Sequence, residues 1–295
     1  MPHPDSASGL ERLSAELAAV VAKHAPAAVS ISSERSVSSG FLWRPGLIVT
    51  ADEALEEDGN VEVTLAGGAV VAAVVAGRDP ATDVALLRIE RKDAPAAALV
   101  PAPVATGALA LVVGAISGDP TATFGIVSRS TGPWRSLRGG AIDARIELDL
   151  TLPRRSEGGL ALDAAGRAFG MAVFGPRRRV LVIPAATIER VAAKLETDGR
   201  IPRGYLGLAL QRVPGQASGT AGAMVMSLDP KGPAAKAGIL QGDVLLAWNG
   251  SPIRHLHALL RGLGPDSVGE SVTLGLRRAG QSRDVKLEIA ARPDA

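Results

Sequence analysis

The sequence predicts a mainly β chain in two parts: antiparallel strands forming barrels or a sandwich, then a smaller α+β unit. Two observations carry this. From Ala27 to about Val182 apolar residues recur chiefly with period two, in short runs such as AAVSISSE, GLIVTA, DVALLRIE, ALALVVGAI and AFGMAVFG, broken by Gly, Pro and Asp. After RIPRG (200–204), a linker by composition, the pattern changes to strands interleaved with the short helix GPAAKAGI, the turn WNGSPI and a second helix near His255–Leu263.

In chain order, residues 1–26 read as a tail and an amphipathic helix, with Leu10, Leu13, Leu17, Val20 and Val21 at helical spacing before Pro26. That face is expected to pack on its own protein. Residues 27–199 hold the strands and a closing helix, PAATIERVAAKLETDG, which starts near Pro184 and stops at Gly199. Residues 205–295 form the second unit.

Composition narrows the function. With 295 residues, 46% hydrophobic and 21% charged, the chain is an ordinary globular protein large enough for two cores. Aromatics are only 3%, so small aliphatic side chains fill those cores and base-stacking platforms are scarce. The net charge of +2 is far from a continuous basic stripe, which argues against a nucleic-acid partner. Cysteine is absent, excluding disulfides, thiolate metal sites and a cysteine nucleophile. The uncharged stretch from Ala94 to Ser117 contains Pro95, Pro101 and Pro103 and so predicts a loop feeding a buried strand, not a membrane span. The N-terminus lacks a basic region followed by an apolar run and a cleavage site, and on that ground the expected location is cytoplasmic.

The run SSGFLWRPGLIVTADEALEEDGNVEVTLAGGAVVAAVVAGRDPATDVALLRIE resembles the first barrel of the HtrA/Deg family of trypsin-like proteases. GYLGLALQ with GPAAKAGILQGDVLLAWNGSPI is similar to that family's PDZ domain. The resemblance runs from about Leu10 to Ala291 and implies a chymotrypsin-like double β-barrel followed by a PDZ domain. Fold alone does not carry function, so the site is read residue by residue.

A serine protease needs a serine hydroxyl, an imidazole to take its proton, a carboxylate to orient the imidazole, and backbone N–H groups for the oxyanion. IVTADEAL aligns without a gap with the family's histidine stretch and puts Glu53 at the imidazole's place. DPATDVALL keeps the aspartate as Asp83. LDLTLPRRSEGG, with Asp149 and the Gly158–Gly159 pair in register, places Glu157 at the serine and Arg155 at the oxyanion glycine. Ser156 falls one residue early, beyond the half-ångström tolerance of about 0.5 Å for a catalytic constellation. It also lacks a base. His3, His24, His255 and His257 lie outside the expected histidine loop, and lysine occurs in the barrel region only at Lys92 and Lys194. An alcohol without a neighbouring base is unreactive at neutral pH.

Glu53, Asp83 and Glu157 are expected to converge and to be neutralised by Arg154 or Arg155, water and a proton shared among them. A Ca²⁺ or Mg²⁺ ion on these three carboxylates is a second reading, which would make the cluster a regulatory metal site; otherwise no metal or cofactor is expected. In the second unit the resemblance makes Tyr205, Leu206, Gly207 and Leu208 the loop that holds a peptide's terminal carboxylate, with the following strand accepting the peptide as an added strand. The helix IRHLHALLRGL forms the other wall, with His255 and His257 as groove or surface residues. The arginines at 177–179 read as a solvent-exposed hairpin.

The reading that follows is a proteolytically inactive HtrA-like pseudoprotease that binds C-terminal peptides or unfolded proteins as scaffold, chaperone or regulator, alone, as a homo-oligomer or with an active homologue. An active endopeptidase using Ser156 is the alternative. The family usually works outside the cytoplasm.

Overall fold

The computed structural model describes residues 8–34, 36–56, 60–213, 222–253, 256, 259 and 262–293. The chain divides into two compact units, Met1–Trp134 with Ile142–Arg200, and Arg135–Ala141 with Ile201–Ala295.

The first unit contains two closed six-stranded barrels, as the resemblance implies. Strands β1 (Ala28–Ser32), β2 (Val37–Arg44), β3 (Leu47–Thr50), β4 (Val61–Thr64), β5 (Val70–Asp79) and β6 (Val84–Ile89) run antiparallel in the order β1-β2-β3-β6-β5-β4, and β4 pairs back on β1. The interior is aliphatic: Val29, Ile31, Leu42, Ile48, Val63, Ala85 and Leu87 all lie within it. The second barrel uses β7 (Leu109–Ile116), β8 (Asp119–Thr131), β9 (Arg145–Asp149), β10 (Leu160–Asp163), β11 (Ala168–Phe174) and β12 (Val180–Pro184), in the order β9-β12-β11-β10-β7-β8 and closed by β8 on β9. Phe169 is the aromatic side chain among its buried core residues, surrounded by Val112, Val127, Ala161, Ala172 and Val182. Closure leaves neither barrel an open sheet edge.

The barrels are joined through Ser39 on β2. Its hydroxyl donates to the Arg155 carbonyl at 2.7 Å and accepts from the Ala115 N–H of β7 at 3.0 Å. Gly158, at φ +87°, passes so close to the Ser39 carbonyl that no side chain fits between them. Helix α2 (Ala185–Asp198) stops at Gly199 in the left-handed conformation and buries Ile188, Val191, Ala192 and Leu195. Its Glu189 accepts from the Trp43 indole N–H at 2.9 Å.

Helix α1 (Gly9–His24) begins with a reciprocal capping box between Ser8 and Glu11. The expected packing of its apolar face is met only near its end. Val20 is the nearest side chain to Gly166 and His24 Nε2 lies 2.8 Å from the Gly166 carbonyl, whereas Leu10 is 78% exposed and Leu13 36%. The turn after β10 offers a surface to the last turns of the helix alone. Burial holds the His24 imidazole below its usual pKa.

The second unit has a sheet in the order β13 (Leu208–Val213), β14 (Gly222–Leu228), β15 (Val244–Trp248), β16 (Ser271–Arg278), β17 (Gln281–Glu288), with a short helix α3 (Pro233–Lys236). Its core includes Leu206, Val225, Leu245, Leu274 and Ile289. Arg278 grips the buried Asp243 carboxylate with Nε and Nη2, each at 2.7 Å, which keeps that carboxyl below the usual range. Among the described residues no helix is long and apolar enough to cross a membrane.

Candidate functional site

The site on the first unit grows from two turns. The first, DPATD, is wound by Asp79: its carboxylate accepts from the Ala81 N–H at 3.2 Å and the Thr82 hydroxyl at 2.7 Å, and its carbonyl accepts from the Thr82 N–H. The next residue, Asp83, sits at φ +58°, a left-handed conformation that Asp tolerates better than most residues. Its Oδ1 accepts the backbone N–H of Glu53 at 2.8 Å. Where the resemblance would have this carboxylate steady an imidazole, it steadies the main chain of the loop.

That loop is stapled from below by Arg78. Its Nε donates to Asp52 Oδ1 at 2.5 Å, Nη1 to the Glu56 carbonyl at 2.8 Å, and Nη2 to the Asp52 and Leu55 carbonyls at 2.9 and 3.2 Å. Sequence reasoning passed over Arg78 and Asp52. A lone arginine before Asp-Pro carries no motif, and the pairing spans 26 residues.

The second turn is Pro153–Gly159. Residues Arg154–Ser156 form a 3₁₀ turn, in which the Ser156 N–H bonds the Pro153 carbonyl at 2.9 Å and the Glu157 N–H bonds the Arg154 carbonyl at 3.2 Å. The Glu157 amide is thus spent inside the turn, where it cannot serve as an oxyanion donor. Ser156 is 2% exposed and its hydroxyl lies 3.2 Å from that of Thr121 on β8. Glu157 turns the other way, accepting the Phe174 N–H at 3.1 Å.

Glu53, Asp83 and Glu157 come within electrostatic reach of one another. Burial pushes Asp83 up to about 8; the Glu53 N–H opposes this, while the charges of Glu53, Glu157 and Asp52 add to it. Glu157 is raised as well, by burial first and by Glu53, against the Phe174 N–H and the attraction of Arg154 and Arg178. The expected pairing with Arg154 or Arg155 takes a looser form. Among the described residues neither makes an ion pair within contact distance; Arg154 acts on Glu157 at range, and Asp83, desolvated by burial first and crowded by its neighbours second, is held toward its protonated form. Among the described residues no group of three or more His, Cys, Asp or Glu side chains is arranged to hold a metal ion.

These groups open on a cleft of about 530 Å³ whose lining includes Val37, Glu53, Arg155, Glu157, Phe174 and Arg178. The arginine triplet divides there. Arg179 pairs with Glu147 at 3.2 Å, alongside Arg145 at 2.7 Å, and is structural. Arg178 lies over the Phe174 ring, 5.2 Å from its centroid, and faces the cleft.

In the second unit, Leu206 is buried in the core and its carbonyl accepts the Ala234 N–H at 3.0 Å. Gly207 has φ +75° and its carbonyl accepts the Asp229 N–H at 2.9 Å. Tyr205 donates its hydroxyl to Asp229 at 3.0 Å, and Leu208 opens β13, the terminal strand of the sheet. His3, His255 and His257 lie outside the described residues.

The two closed barrels of the first unit and the small PDZ-like sheet of the second define the class, a trypsin-like peptidase fold with a peptide-binding type of module. Comparisons agree: residues 38–171 match the trypsin-like peptidase domain and residues 204–289 the PDZ domain. A probable periplasmic serine endoprotease, DegP-like, of Bartonella henselae is 32% identical over 271 residues, covering 87% of this chain and 53% of that protein. The chain thus spans about half the length of that relative. The serine endoprotease from Yersinia pestis superposes with a TM-score of 0.69 at 26% identity, covering 93% of this chain and 97% of that one. The HtrA-type protease AlgW with decapeptide gives 0.70 at 23% identity over 94% and 99%, a likeness of fold. The two domain matches, the DegP-like relatives and the HtrA-type structures together support the HtrA/Deg family of trypsin-like proteases with a PDZ domain. The relatives' names place them in the periplasm, which overturns the cytoplasmic expectation; that expectation rested on the lack of a leader pattern, and the relatives' compartment outweighs it.

Proposed function

We propose that this chain is a proteolytically inactive HtrA-type homologue that works in the periplasm by holding peptides or unfolded chains through its PDZ unit. One observation carries the loss of chemistry. The two positions where imidazole and hydroxyl would meet hold Glu53 and Glu157, while the neighbouring hydroxyl, Ser156, is buried against Thr121. An anionic tetrahedral intermediate would form beside acidic groups, with the Glu157 amide already engaged by Arg154. Peptide binding is supported by the left-handed Gly207, the Leu206 backbone tied to Ala234, and the position of β13 at the edge of its sheet, where an extended peptide adds as a further strand.

The test has two arms. The purified chain is exposed to a fluorophosphonate probe and to casein, with the outcome expected to be no labelling and no cleavage above contaminant level. Peptides with a free C-terminal carboxylate are then titrated against their amidated versions, and only the free acids are expected to bind the PDZ unit. Labelling of Ser156 would end the first claim, and equal binding of both peptide forms the second.

A further inference from the structure

Three arginines of the cleft keep their guanidinium groups out of the ion pairs that brace the fold. Arg154 and Arg155 come from the 3₁₀ turn and Arg178 from the β11–β12 hairpin, and among the described residues none forms an ion pair. Elsewhere in the same unit arginines are heavily used. Arg78 serves four acceptors, and Arg145 and Arg179 converge on Glu147.

The hairpin that delivers Arg178 is held in an unfavourable conformation. Arg177 and Arg178 have φ of +59° and +58°, consecutive left-handed positions where Asn or Gly is the ordinary choice. Each costs about 1 kcal/mol or more relative to Gly, and such strain is retained where surrounding structure or function demands it. Glycine in the same turn would keep the hairpin but lose the guanidinium that overlies Phe174.

The cleft's chemistry follows from its walls. Val37, Ala54 and Phe174 give it apolar sides, and its volume of about 530 Å³ suits a few peptide side chains. Its charged lining consists of the three arginines against Glu53 and Glu157, an excess of one positive charge. Asp83, behind Glu53, is largely protonated at neutral pH and subtracts little.

We propose that this cleft binds an acidic side chain of a peptide, its carboxylate read by Arg154, Arg155 and Arg178 and its apolar neighbours lying against Phe174, Val37 and Ala54. The site requires that the cleft does not cut what it holds, and in that respect it rests on the inactive reading above. It is independent of the PDZ unit. The apolar walls favour a peptide over a bare anion, because inorganic phosphate would leave them uncovered.

The experiment uses the full chain and short fluorescent peptides blocked at both ends, so that no terminal carboxylate can occupy the PDZ unit. A peptide with one Glu between apolar residues is expected to bind about tenfold more tightly than its Gln counterpart, the effect of one charge-assisted contact. Arg178→Lys should retain part of that preference, and Arg155→Ala with Arg178→Ala should abolish it.

Two glycine variants separate strain from recognition. Arg177→Gly and Arg178→Gly should each raise the thermal unfolding midpoint by relaxing the hairpin, but only Arg178→Gly should weaken the Glu peptide. Equal binding of Glu and Gln peptides, or an unchanged preference in the double alanine variant, overturns the proposal. So does inorganic phosphate displacing the peptide at equal concentration, which would make the cleft a general anion pocket. Cleavage of the bound peptide would instead sink the inactive reading, while a failure confined to free-acid peptides would touch only the PDZ claim.

Discussion

The two sides of the cleft treat their arginines in opposite ways. On the side of the first barrel, Arg78 is consumed: the Asp52 carboxylate and three carbonyls take hydrogen bonds from all three of its guanidinium nitrogens. On the side of the second barrel, Arg154, Arg155 and Arg178 stand around the opening without an ion pair among the described residues. The difference separates framework from reader. A cation that closes a loop is worth most when buried and fully bonded, whereas one that meets a ligand must keep its hydrogen-bonding capacity in reserve.

The framework side should break hardest. Arg78→Ala leaves the Asp52 carboxylate, whose side chain is only 5% exposed, without its cation and releases three loop carbonyls. A loss of about 3 kcal/mol is expected in denaturant unfolding, the scale for breaking one partner of a buried pair. The double variant Arg78→Met, Asp52→Leu should recover much of that loss. If Arg78→Ala costs less than the removal of an ordinary surface ion pair, about 0.5 kcal/mol, the two sides do not differ as described.

Per pH unit, a smaller effect comes from the proton on Asp83. Its carboxyl titrates near 8 in the folded chain and near 3.8 in the unfolded one, so between those values the folded state holds a proton that the unfolded state has released. Stability therefore falls as pH rises through that window, by at most about 1.4 kcal/mol per unit for a single group, and levels off above it. Glu157, also raised, adds in the same direction. Asp83→Asn keeps an acceptor for the Glu53 N–H and tolerates the left-handed backbone, so it should flatten the slope and leave the chain more stable than wild type at pH 9. Chemical denaturation at several pH values measures this, and an unchanged slope would remove Asp83 as its source.

Much of this was legible because it is written in short-range patterns. Alternation within runs such as DVALLRIE marks strands that the structure places in closed barrels, and the gapless stretch IVTADEAL carries Glu53 beside Asp83. What sequence reading missed depends on contacts between distant segments. Arg78 reaches a loop more than twenty residues back, and the division of the arginine triplet into structural Arg179 and cleft-facing Arg178 follows from backbone angles at the hairpin. Helix α1 fails differently. Its periodicity correctly gives a helix, but periodicity states only that one face is apolar, not what covers Leu10 and Leu13.

The smallest effect is expected at the residue that most resembles a nucleophile. Ser156 sits one position before Glu157, and the 3₁₀ turn rotates its hydroxyl into the protein toward Thr121 instead of the cleft. Ser156→Ala removes one hydrogen bond between hydroxyls and leaves Thr121 other geometry to adopt, a cost of about 1 kcal/mol or less. The variant should bind acidic and free-acid peptides as the wild type does. Because neither side of the cleft uses this hydroxyl, a peptide-binding or hydrolytic change larger than the stability change would mean that the turn opens in solution and presents Ser156, and the contrast between framework and reader would then have to be redrawn around a moving 154–157 segment.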